Sequence, residues 1–364
     1  MEYGIVVEGG TKLKVPAGGG ISKSEEVFYN PHMALNRDLT VALCRILKPK
    51  TFADVMAGCG ARGVRVVNEA KVRVTLNDLN PKAVDLIREN AALNGVEADV
   101  ECTDARSLLI GRRFDYIDLD PFGPPVAYVD SVLSAARWGN IVGVCATDTS
   151  ALCGSYPKAC VRKYDALPGR YDCYNEIGLR ILIGFIARSA LRHESGIEPL
   201  FAHCTRHYMR VQVRLTSRHS VSQRQISFLQ YCPECMWRAY RNISNLESKC
   251  VCGGRLQTAG PLWNGAYADP QICESVSNEV LGRAYACRSE AAKLLGLVQG
   301  EQAVNLPYYD IHQLASRHSQ EVPRMSDLGD QVRKAGCFFA RTHFSNVGFK
   351  TDMPHESVTA LLKG

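Results

Sequence analysis

A short acidic turn is the part of the chain whose residue types and spacing point most directly to chemistry. Residues 114–123 form an apolar segment that ends in Asp120, Pro121, Phe122 and Gly123. Proline cannot donate to a sheet ladder, so a strand is expected to stop here and to present a carboxylate, a backbone carbonyl and a ring together. Such oxygens accept hydrogens from an exocyclic amine, and a ring stacks on a nucleobase. The turn therefore indicates methylation of a nucleobase amine, although a plain strand exit would leave the same residues.

A glycine-rich turn precedes it in the chain. Gly58, Gly60 and Gly63 have the spacing G-x-G-x-x-G, between a predicted strand at 52–56 and a predicted helix. This spacing brings a backbone close to a bound cofactor in dinucleotide-binding enzymes. Enzymes that use S-adenosylmethionine (AdoMet) have a closely related turn. Gly58 and Gly60 are therefore candidate cofactor-binding residues, and the turn alone leaves an NAD-dependent dehydrogenase open.

Three acids favour AdoMet over NAD because they accompany successive predicted strands: Asp54, Asp78 and Asp104. Ligands of open α/β sheets bind outside the carboxyl ends of the strands, where these side chains are expected. Asp54 is placed for the amino-acid part of AdoMet, Asp78 for the ribose hydroxyls and Asp104 for the adenine amino group. A dehydrogenase has no need for the third acid or for Asp120–Pro121. The alternative is that the three are solvent-facing loop acids.

The order of strands and helices predicts the fold class. Strands alternate with helices up to about residue 147, which predicts an α/β fold with a mostly parallel, Rossmann-like sheet of the class I AdoMet-dependent type. Two later strands, 198–204 and 208–215, are joined tightly and are expected to be antiparallel. The pattern changes near residue 216, so we predict a methyltransferase domain over 1–215 and a smaller α+β domain over 216–364. Helices are predicted there at 280–297, 310–318 and 326–336.

Four of the fifteen cysteines have the spacing of a metal site: Cys232, Cys235, Cys250 and Cys252. Two close pairs separated by fourteen residues suit a tetrahedral zinc site on two knuckles, within a module at about 231–256. With all ligands from protein, such a zinc is structural. The second pair is C-x-C, where C-x-x-C is commoner, so the last ligand, Cys252, departs from the usual spacing.

Charge indicates an anionic partner. The net charge is +6, and residues 201–233 contain no acid but have five arginines: Arg206, Arg210, Arg214, Arg218 and Arg224. A charge run is usually a solvated face, but this one is better explained by contact with RNA phosphates. No apolar stretch is long enough for a membrane span, and no secretory leader is visible, so a cytoplasmic location is expected.

The segment before the first strand of the sheet contains further candidates. It can fold over the cleft, where Phe28 would stack on a base and Arg37 would bind the AdoMet carboxylate. The alternative is that the aromatic residues staple the following helix, predicted at 32–47. Arg62, in the glycine turn, is a second candidate for the methionine end of AdoMet, and its alternative is an ordinary surface arginine.

Six segments, in chain order, resemble those of the tRNA (guanine-26) N2-dimethyltransferase family, and of its archaeal members in particular: Phe28-Tyr29-Asn30-Pro31, Asn36-Arg37-Asp38-Leu39, Asp120-Pro121-Phe122-Gly123, Tyr171-Asp172-Cys173-Tyr174-Asn175-Glu176, Arg341-Thr342-His343-Phe344 and Lys350-Thr351-Asp352. The resemblance covers almost the whole chain and includes the cysteine module.

The resemblance implies transfer of one or two methyl groups from AdoMet to the N2 of guanine 26 in tRNA. It implies AdoMet contacts by Arg37, Arg62, Asp78, Asp104 and Ala105. It implies substrate and catalytic roles for Phe28, Asp120, Pro121 and Phe122, and zinc binding by the four cysteines. The expected partner is tRNA, with no obligate protein partner evident. Methylation of ribosomal guanine or DNA adenine, or a non-catalytic zinc-containing RNA-binding protein, remain the alternatives.

Overall fold

A computed structural model describes residues 2–17 and 27–362 of the chain. The glycines at 18–20, predicted to form a loop, lie outside the described residues. The described strands are β1 (Tyr3–Glu8), β2 (Thr11–Pro16), β3 (Thr51–Asp54), β4 (Arg73–Asn77), β5 (Asp99–Glu101), β6 (Tyr116–Leu119), β7 (Ile141–Ala146), β8 (Gly196–Thr205), β9 (Tyr208–Thr216), β10 (Ile226–Tyr231), β11 (Arg238–Arg241), β12 (Gln257–Trp263), β13 (Tyr309–Asp310), β14 (Phe339–Arg341) and β15 (Gly348–Thr351).

The described α-helices alternate with these strands in the first half of the chain. They are α1 (Ala34–Leu47), α2 (Ala61–Arg65), α3 (Pro81–Leu93), α4 (Ala105–Leu109), α5 (Val126–Ala135), α6 (Thr149–Leu152), α7 (Pro157–Tyr164), α8 (Tyr174–Arg192), α9 (His219–Arg224), α10 (Pro270–Leu281), α11 (Arg288–Gly300), α12 (Ile311–Arg317), α13 (Met325–Lys334) and α14 (His355–Leu361). Among the described residues, no helix is long and apolar enough to cross a membrane.

The main sheet has seven strands in the order β5-β4-β3-β6-β7-β9-β8. The pairs from β5 to β7 are parallel. Only two residues, Arg206 and His207, separate β8 from β9, so this neighbouring pair runs antiparallel. The mostly parallel sheet with antiparallel last strands confirms the predicted α/β, Rossmann-like class.

The strand order places a crevice between β3 and β6. The chain goes from β3 outward to β4 and β5, and then returns to add β6 on the other side of β3. The order therefore reverses between β3 and β6, which is the point where ligands of open α/β sheets bind, outside the carboxyl ends of the strands. Both strands end in acidic segments at this point.

Local sequence signals explain how helices begin at this edge of the sheet. Asn80 accepts from the backbone N–H of Lys82 at 3.1 Å and Pro81 opens α3, a favoured start because proline lacks the N–H that would stay unbonded there. Asp104 caps α4 by accepting from the N–H of Arg106 at 2.9 Å. Gly63 lets α2 lie against the sheet, since a Cβ there would stand 2.0 Å from Leu76 Cδ2.

Three smaller sheets accompany the main one. β1 and β2 form an antiparallel hairpin, as the glycines at 9 and 10 predict. The other two have the orders β11-β10-β12 and β13-β15-β14. The helices predicted at 310–318 and 326–336 are present as α12 and α13.

The prediction of a single helix at 280–297 is wrong. The structure has two helices, α10 and α11, separated at residues 282–287. Gly282 follows the end of α10, and the backbone N–H of Cys287 donates to the buried carboxylate of Asp38 at 2.8 Å. A tertiary hydrogen bond outside the reach of helix periodicity therefore holds the break open.

The chain divides into two compact units, each assembled from three segments. The first contains Met1–Cys145, Gln212–Ser217 and Gln271–Gly296, and the second contains Ala146–Val211, Arg218–Pro270 and Leu297–Gly364. The expected domains, 1–215 and 216–364, are continuous stretches of the chain, unlike these units. Their assignment to methyl transfer and to tRNA contact stays a prediction.

Candidate active site

The acidic turn after β6 lies at the crevice of the first unit. Asp118, inside the strand, is fully buried, whereas the side chain of Asp120 is 17% exposed. Pro121 is buried, and the ring of Phe122 is 46% exposed. Gly123 has a φ of 87°, which turns the chain away from the strand without the cost that a side chain would have there. Of the two acids, only Asp120 reaches the surface at the strand end, as the sequence argument expected.

Arg62 joins the two acids. Its Nε lies 3.2 Å from Asp118 Oδ1, and its Nη2 contacts Asp120 Oδ2. From the other side, Nη1 donates to Thr40 Oγ1 at 2.9 Å and to Asn36 Oδ1 at 3.2 Å. The side chain is 6% exposed, so the alternative of an ordinary surface arginine does not fit. Helix α1 thus fixes an arginine, and the arginine fixes the carboxylate of Asp120.

The glycine turn and Asp78 are held together. The backbone N–H of Gly58 donates to Asp78 Oδ2 at 2.8 Å, and that of Asn80 donates to Oδ1 at 2.9 Å. Burial raises the pKa of Asp78, and these backbone hydrogen bonds oppose the rise only in part. Gly58 and Gly60 have φ of 55° and 78°, the left-handed region that favours glycine. Asp78 therefore stands half-buried beside a turn that it helps to shape.

The other two predicted strand-end acids differ in exposure. Asp54 ends β3 and is 1% exposed, so its carboxylate lies below the surface of the crevice. Asp104 is partly exposed and forms an ion pair with Arg106 at 3.0 Å. The hydrogen bond from the Arg106 side chain lowers the pKa of Asp104 to about 2. Ala105 follows as the buried first residue of α4.

Phe28 brings the segment before α1 onto the site. Its ring packs edge-on against Phe122, with 4.4 Å between the centroids. Its backbone carbonyl oxygen would lie 3.0 Å from a Cβ at Gly58. Phe28 therefore touches the acidic turn with its ring and the glycine turn with its backbone, as the prediction of a cleft-covering segment requires. The alternative of a staple on α1 does not account for these two contacts.

Glu8 is a residue of this site that the sequence reasoning missed. Its carboxylate, at the end of β1, accepts from Arg37 Nε at 2.7 Å, from Arg37 Nη2 and from the Tyr29 hydroxyl at 2.7 Å. Arg65 Nη1 lies 3.2 Å away. Burial raises the pKa of Glu8, but hydrogen bonds and charge from Arg37 and Arg65 outweigh burial and hold the pKa below its ordinary value. Nothing in the local sequence, a single Glu before two glycines, indicates that this side chain is buried, so the sequence could not have identified it.

The donor set at the crevice suits AdoMet. Arg37 and Arg62 offer guanidinium groups for a carboxylate, and Asp78 keeps carboxylate lone pairs for hydroxyls beyond its two backbone bonds. A Cβ would lie 3.0 Å from the Phe28 carbonyl oxygen at position 58 and 3.0 Å from Ile87 Cγ1 at position 60, so glycine lets this turn pack closely against its neighbours. A nucleoside with an amino-acid tail matches these groups in kind. Which residue touches which atom stays a prediction.

The four cysteines lie together in the second unit. All four Sγ atoms are within 4.8 Å of one another, with 3.5 Å between Cys232 and Cys252 and 3.7 Å between Cys235 and Cys250. Leu256 and Trp237 pack around them. The exposed Cys252, the second cysteine of the C-x-C pair, is in the cluster. Four thiols that converge on one point fit a tetrahedral zinc site better than they fit a small apolar core.

The arginine run is not one exposed face. Arg210 is fully buried in β9, whereas the side chain of Arg218 is 73% exposed and lies 3.8 Å from Glu198. Arg210 and Arg214 are four residues apart in β9 and therefore on the same face of that strand, whereas Arg206 and Arg218 lie in the connections on either side of it and Arg224 lies in α9. The prediction of phosphate contact is therefore wrong for the buried Arg210, and for the exposed Arg206, Arg218 and Arg224 it stays a prediction.

Comparison with known proteins gives a consistent result. Residues 5–363 match the family model described as N2,N2-dimethylguanosine tRNA methyltransferase. The chain is 36% identical to the tRNA (guanine(26)-N(2))-dimethyltransferase of Methanospirillum hungatei, over 98% of each protein. It is 38% identical to the enzyme of that name from Methanopyrus kandleri, over 100% of this chain and 97% of the relative. The structure of Trm1 from Pyrococcus horikoshii with S-adenosyl-L-methionine superposes with a TM-score of 0.90, at 32% identity and 98% coverage of both chains.

Proposed function

The chain belongs to the N2,N2-dimethylguanosine tRNA methyltransferase family, and we propose that it methylates N2 of guanine 26 in tRNA at the crevice between β3 and β6. The observation that carries this assignment is the grouping of Asp120, Phe122 and Phe28 around the glycine turn. It supplies an amine acceptor and aromatic rings beside a cofactor-binding edge.

Bound AdoMet supplies an electrophilic methyl group on a sulfonium. We assign its ribose to Asp78, its adenine side to Asp104 and Ala105, and its carboxylate to Arg37 and Arg62. Gly58 and Gly60 allow the tight turn whose backbone would approach the cofactor. Asp54 lies below the surface, so we assign it a supporting role, reaching the amino-acid part through a water or an amide.

The residues at the turn answer a specific chemical need. The N2 lone pair of guanine is delocalised into the ring, so the amine is a poor nucleophile. Asp120 and the carbonyl near Pro121 would accept its hydrogens and aim the lone pair outward, and the rings of Phe28 and Phe122 would stack on the base. Positioning and electrostatic stabilisation of this kind provide most of the rate in such transfers. Asp120 then takes the released proton or passes it to water.

Arg62 gives Asp120 its fixed orientation. Because it donates to Asp118 and Asp120 together, the Asp120 carboxylate is held by one edge and keeps lone pairs for the amine. A second methylation needs the same acceptors, with one amine hydrogen already replaced by a methyl group. The arrangement supports one or two transfers.

We further assign a structural zinc to Cys232, Cys235, Cys250 and Cys252. Metal analysis of protein purified without chelators should give about one zinc per chain, lost in a Cys232→Ser/Cys250→Ser variant. Protein that folds and contains no zinc would contradict this assignment.

A basic surface on α7 is suited to the tRNA backbone. Lys158 and Arg162 are exposed one turn apart on this helix, and Tyr156, just before it, is 66% exposed. The exposed Arg170 is close, because its backbone N–H would lie 3.2 Å from a Cβ at Gly154. Cations interleaved with an exposed ring fit phosphates and unstacked bases. We call Tyr156, Lys158, Arg162 and Arg170 the α7 surface.

One experiment tests the activity. Purified protein is incubated with labelled AdoMet and unmodified tRNA, and the modified nucleotide is mapped. Label at N2 of guanine 26, absent from a tRNA with adenine at that position, is the expected result. Label only in ribosomal RNA or DNA would select the alternative substrates, and tRNA binding without transfer would select a non-catalytic protein. Such a substrate agrees with the expected cytoplasmic location, which stays a prediction.

A further inference from the structure

We infer that Glu8 is a positioning residue that fixes the cofactor side and the base side of the active site with one buried carboxylate. The inference rests on the proposed function, because it assigns Glu8 a role through Arg37 and Phe28. The role that we assign to Glu8 is indirect, through Arg37 and Tyr29. It belongs to the β1–β2 hairpin, outside the main sheet.

On the cofactor side, Glu8 sets the orientation of Arg37. Nε and Nη2 of Arg37 both donate to Glu8, and Nη1 donates to the Asn30 carbonyl at 3.1 Å. A guanidinium has five N–H bonds in a rigid plane, so these contacts fix the plane and leave two N–H bonds for a further acceptor. Such pre-orientation matters because a carboxylate binds an arginine best edge to edge.

On the base side, Glu8 anchors the backbone that carries Phe28. The Tyr29 hydroxyl donates to Glu8 Oε1 at 2.7 Å, and Tyr29 is 6% exposed. The Arg37 guanidinium lies 5.1 Å from the centre of the Tyr29 ring. Since Phe28 directly precedes Tyr29, holding Tyr29 also holds the ring that meets Phe122.

Glu8 can hold both partners because it is itself fixed. It pairs with Thr11 across the hairpin, its side chain is 5% exposed, and Arg65 Nη1 lies 3.2 Å from Oε2. A buried carboxylate is costly unless charged donors satisfy it, and Glu8 has donors from Arg37, Arg65 and Tyr29. An apolar residue at this position would bind neither Arg37 nor Tyr29.

The test compares Glu8→Gln with Glu69→Gln. Glu69 is a matched control because it belongs to the same charge network, with Oε1 2.8 Å from Arg65 Nε and 2.8 Å from Thr11 Oγ1. Its carboxylate accepts hydrogen bonds from Thr11 and Arg65 and, among the described residues, from neither Arg37 nor Tyr29. Calorimetry without tRNA should show AdoMet affinity reduced roughly 10- to 100-fold in Glu8→Gln, the effect of losing hydrogen bonds to a charged group. Glu69→Gln should stay within about threefold.

Tyr29→Phe isolates the base side. It removes one hydroxyl and leaves the Arg37–Glu8 pair in place. At saturating AdoMet, kcat on tRNA should fall about 3- to 10-fold, which is less than the full effect of a hydrogen bond to a charged group because Tyr29 acts on the base only through Phe28, while AdoMet affinity stays within twofold. Loss of stability alone would not separate kcat from cofactor binding in this way.

The outcomes are distinct. Equal losses of AdoMet affinity in the two glutamine variants, or full affinity in folded Glu8→Gln, would overturn the inference. If Glu8→Gln does not fold, Tyr29→Phe decides: an unchanged kcat overturns it, and a reduced kcat with intact AdoMet binding supports it. Wild-type protein that binds AdoMet but never methylates tRNA would refute the proposed function, while the calorimetric comparison would still decide the role of Glu8 in orienting Arg37.

Discussion

Each compact unit contains a buried arginine bound to aspartate, and the two pairs differ in what they leave open. In the second unit, Arg238 Nη2 lies 2.9 Å from both oxygens of Asp172, and both side chains are fully buried. The backbone N–H of Asp310 also donates to Asp172 at 3.1 Å. In the first unit, Arg62 binds Asp120, whose side chain is 17% exposed beside the exposed ring of Phe122.

The difference separates a pair that holds the fold from a pair that can act on a ligand. Arg238 is enclosed by the rings of Tyr309, 4.1 Å away, and Tyr231, 5.2 Å away, and it also donates to the Tyr308 carbonyl. Nothing of that pair faces a cleft. The Arg62 pair has the same chemistry but ends at the carboxyl edge of a parallel sheet. The partial exposure of the Asp120 side chain, and not the ion pair itself, distinguishes the pair that we propose to be functional.

The largest expected effect is on stability in the second unit. Asp172→Ala leaves the Arg238 charge buried without its carboxylate, so the free energy of unfolding should fall by about 3–5 kcal/mol. Denaturant titration measures this, with Asp330→Ala as control because its ion pair with Arg333 is exposed. A loss below about 1 kcal/mol would mean that the two pairs do not differ as described.

The next effect is on catalysis and should leave stability nearly unchanged. Asp120→Asn replaces one acceptor by a donor facing the amine hydrogens, so single-turnover methyl transfer on saturating tRNA should fall roughly a hundredfold or more. AdoMet and tRNA binding should change little. A near-normal rate in this variant, combined with a lost rate in folded Asp118→Asn, would show that the deeper acid is the catalytic one.

A third comparison lies within the cofactor edge. Asp78→Ala should weaken AdoMet binding by about 1–3 kcal/mol, because it removes a ribose acceptor and frees the Gly58 N–H. Asp104→Ala should have a smaller effect, since Asp104 is partly exposed and already bound to Arg106. Calorimetry on both variants provides the ranking, and the reverse ranking would move the ribose toward α4.

The smallest effect concerns the α7 surface and should appear only on the tRNA side. Changing Lys158, Arg162 and Arg170 to Glu should raise KM for tRNA and lower the salt slope of tRNA affinity by roughly two units, at unchanged AdoMet affinity. The matched control changes the exposed Arg317, Arg333 and Lys334 to Glu, which brings the net charge from +6 to zero in the same way. Equal effects in both triple variants would mean that net charge alone, and not the α7 surface, determines tRNA binding.

Local patterns in the sequence were enough to predict the acidic edge of the sheet. Asp78 and Asp120 follow short apolar strands, and turn residues such as Gly58 and Pro121 mark where those strands stop. The parallel order then follows from the alternation of strands and helices. These features depend on neighbours in the chain, so the fold class and the predicted grouping of the two turns could be argued without coordinates.

Contacts between distant residues could not be predicted in this way. Glu8 acquires its role from Arg37 and Arg65, which lie 29 and 57 positions away. The break between α10 and α11 depends on a hydrogen bond to Asp38, 249 positions away. Arg210 was predicted to contact phosphates because a count of charges does not show which face of a strand is buried.

The segmented build of the first unit has a consequence for synthesis on the ribosome. Its last segment, Gln271–Gly296, contributes the backbone donor to Asp38 and also Glu279, which binds Arg45 at 2.5 Å. Domains commonly fold from the N-terminal end as the chain emerges. Here the parallel sheet can assemble early, but the buried carboxylate of Asp38 receives the Cys287 N–H only after about four-fifths of the chain has been translated. Until then, Asp38 lacks this donor, and the incomplete first unit is open to chaperones and proteases.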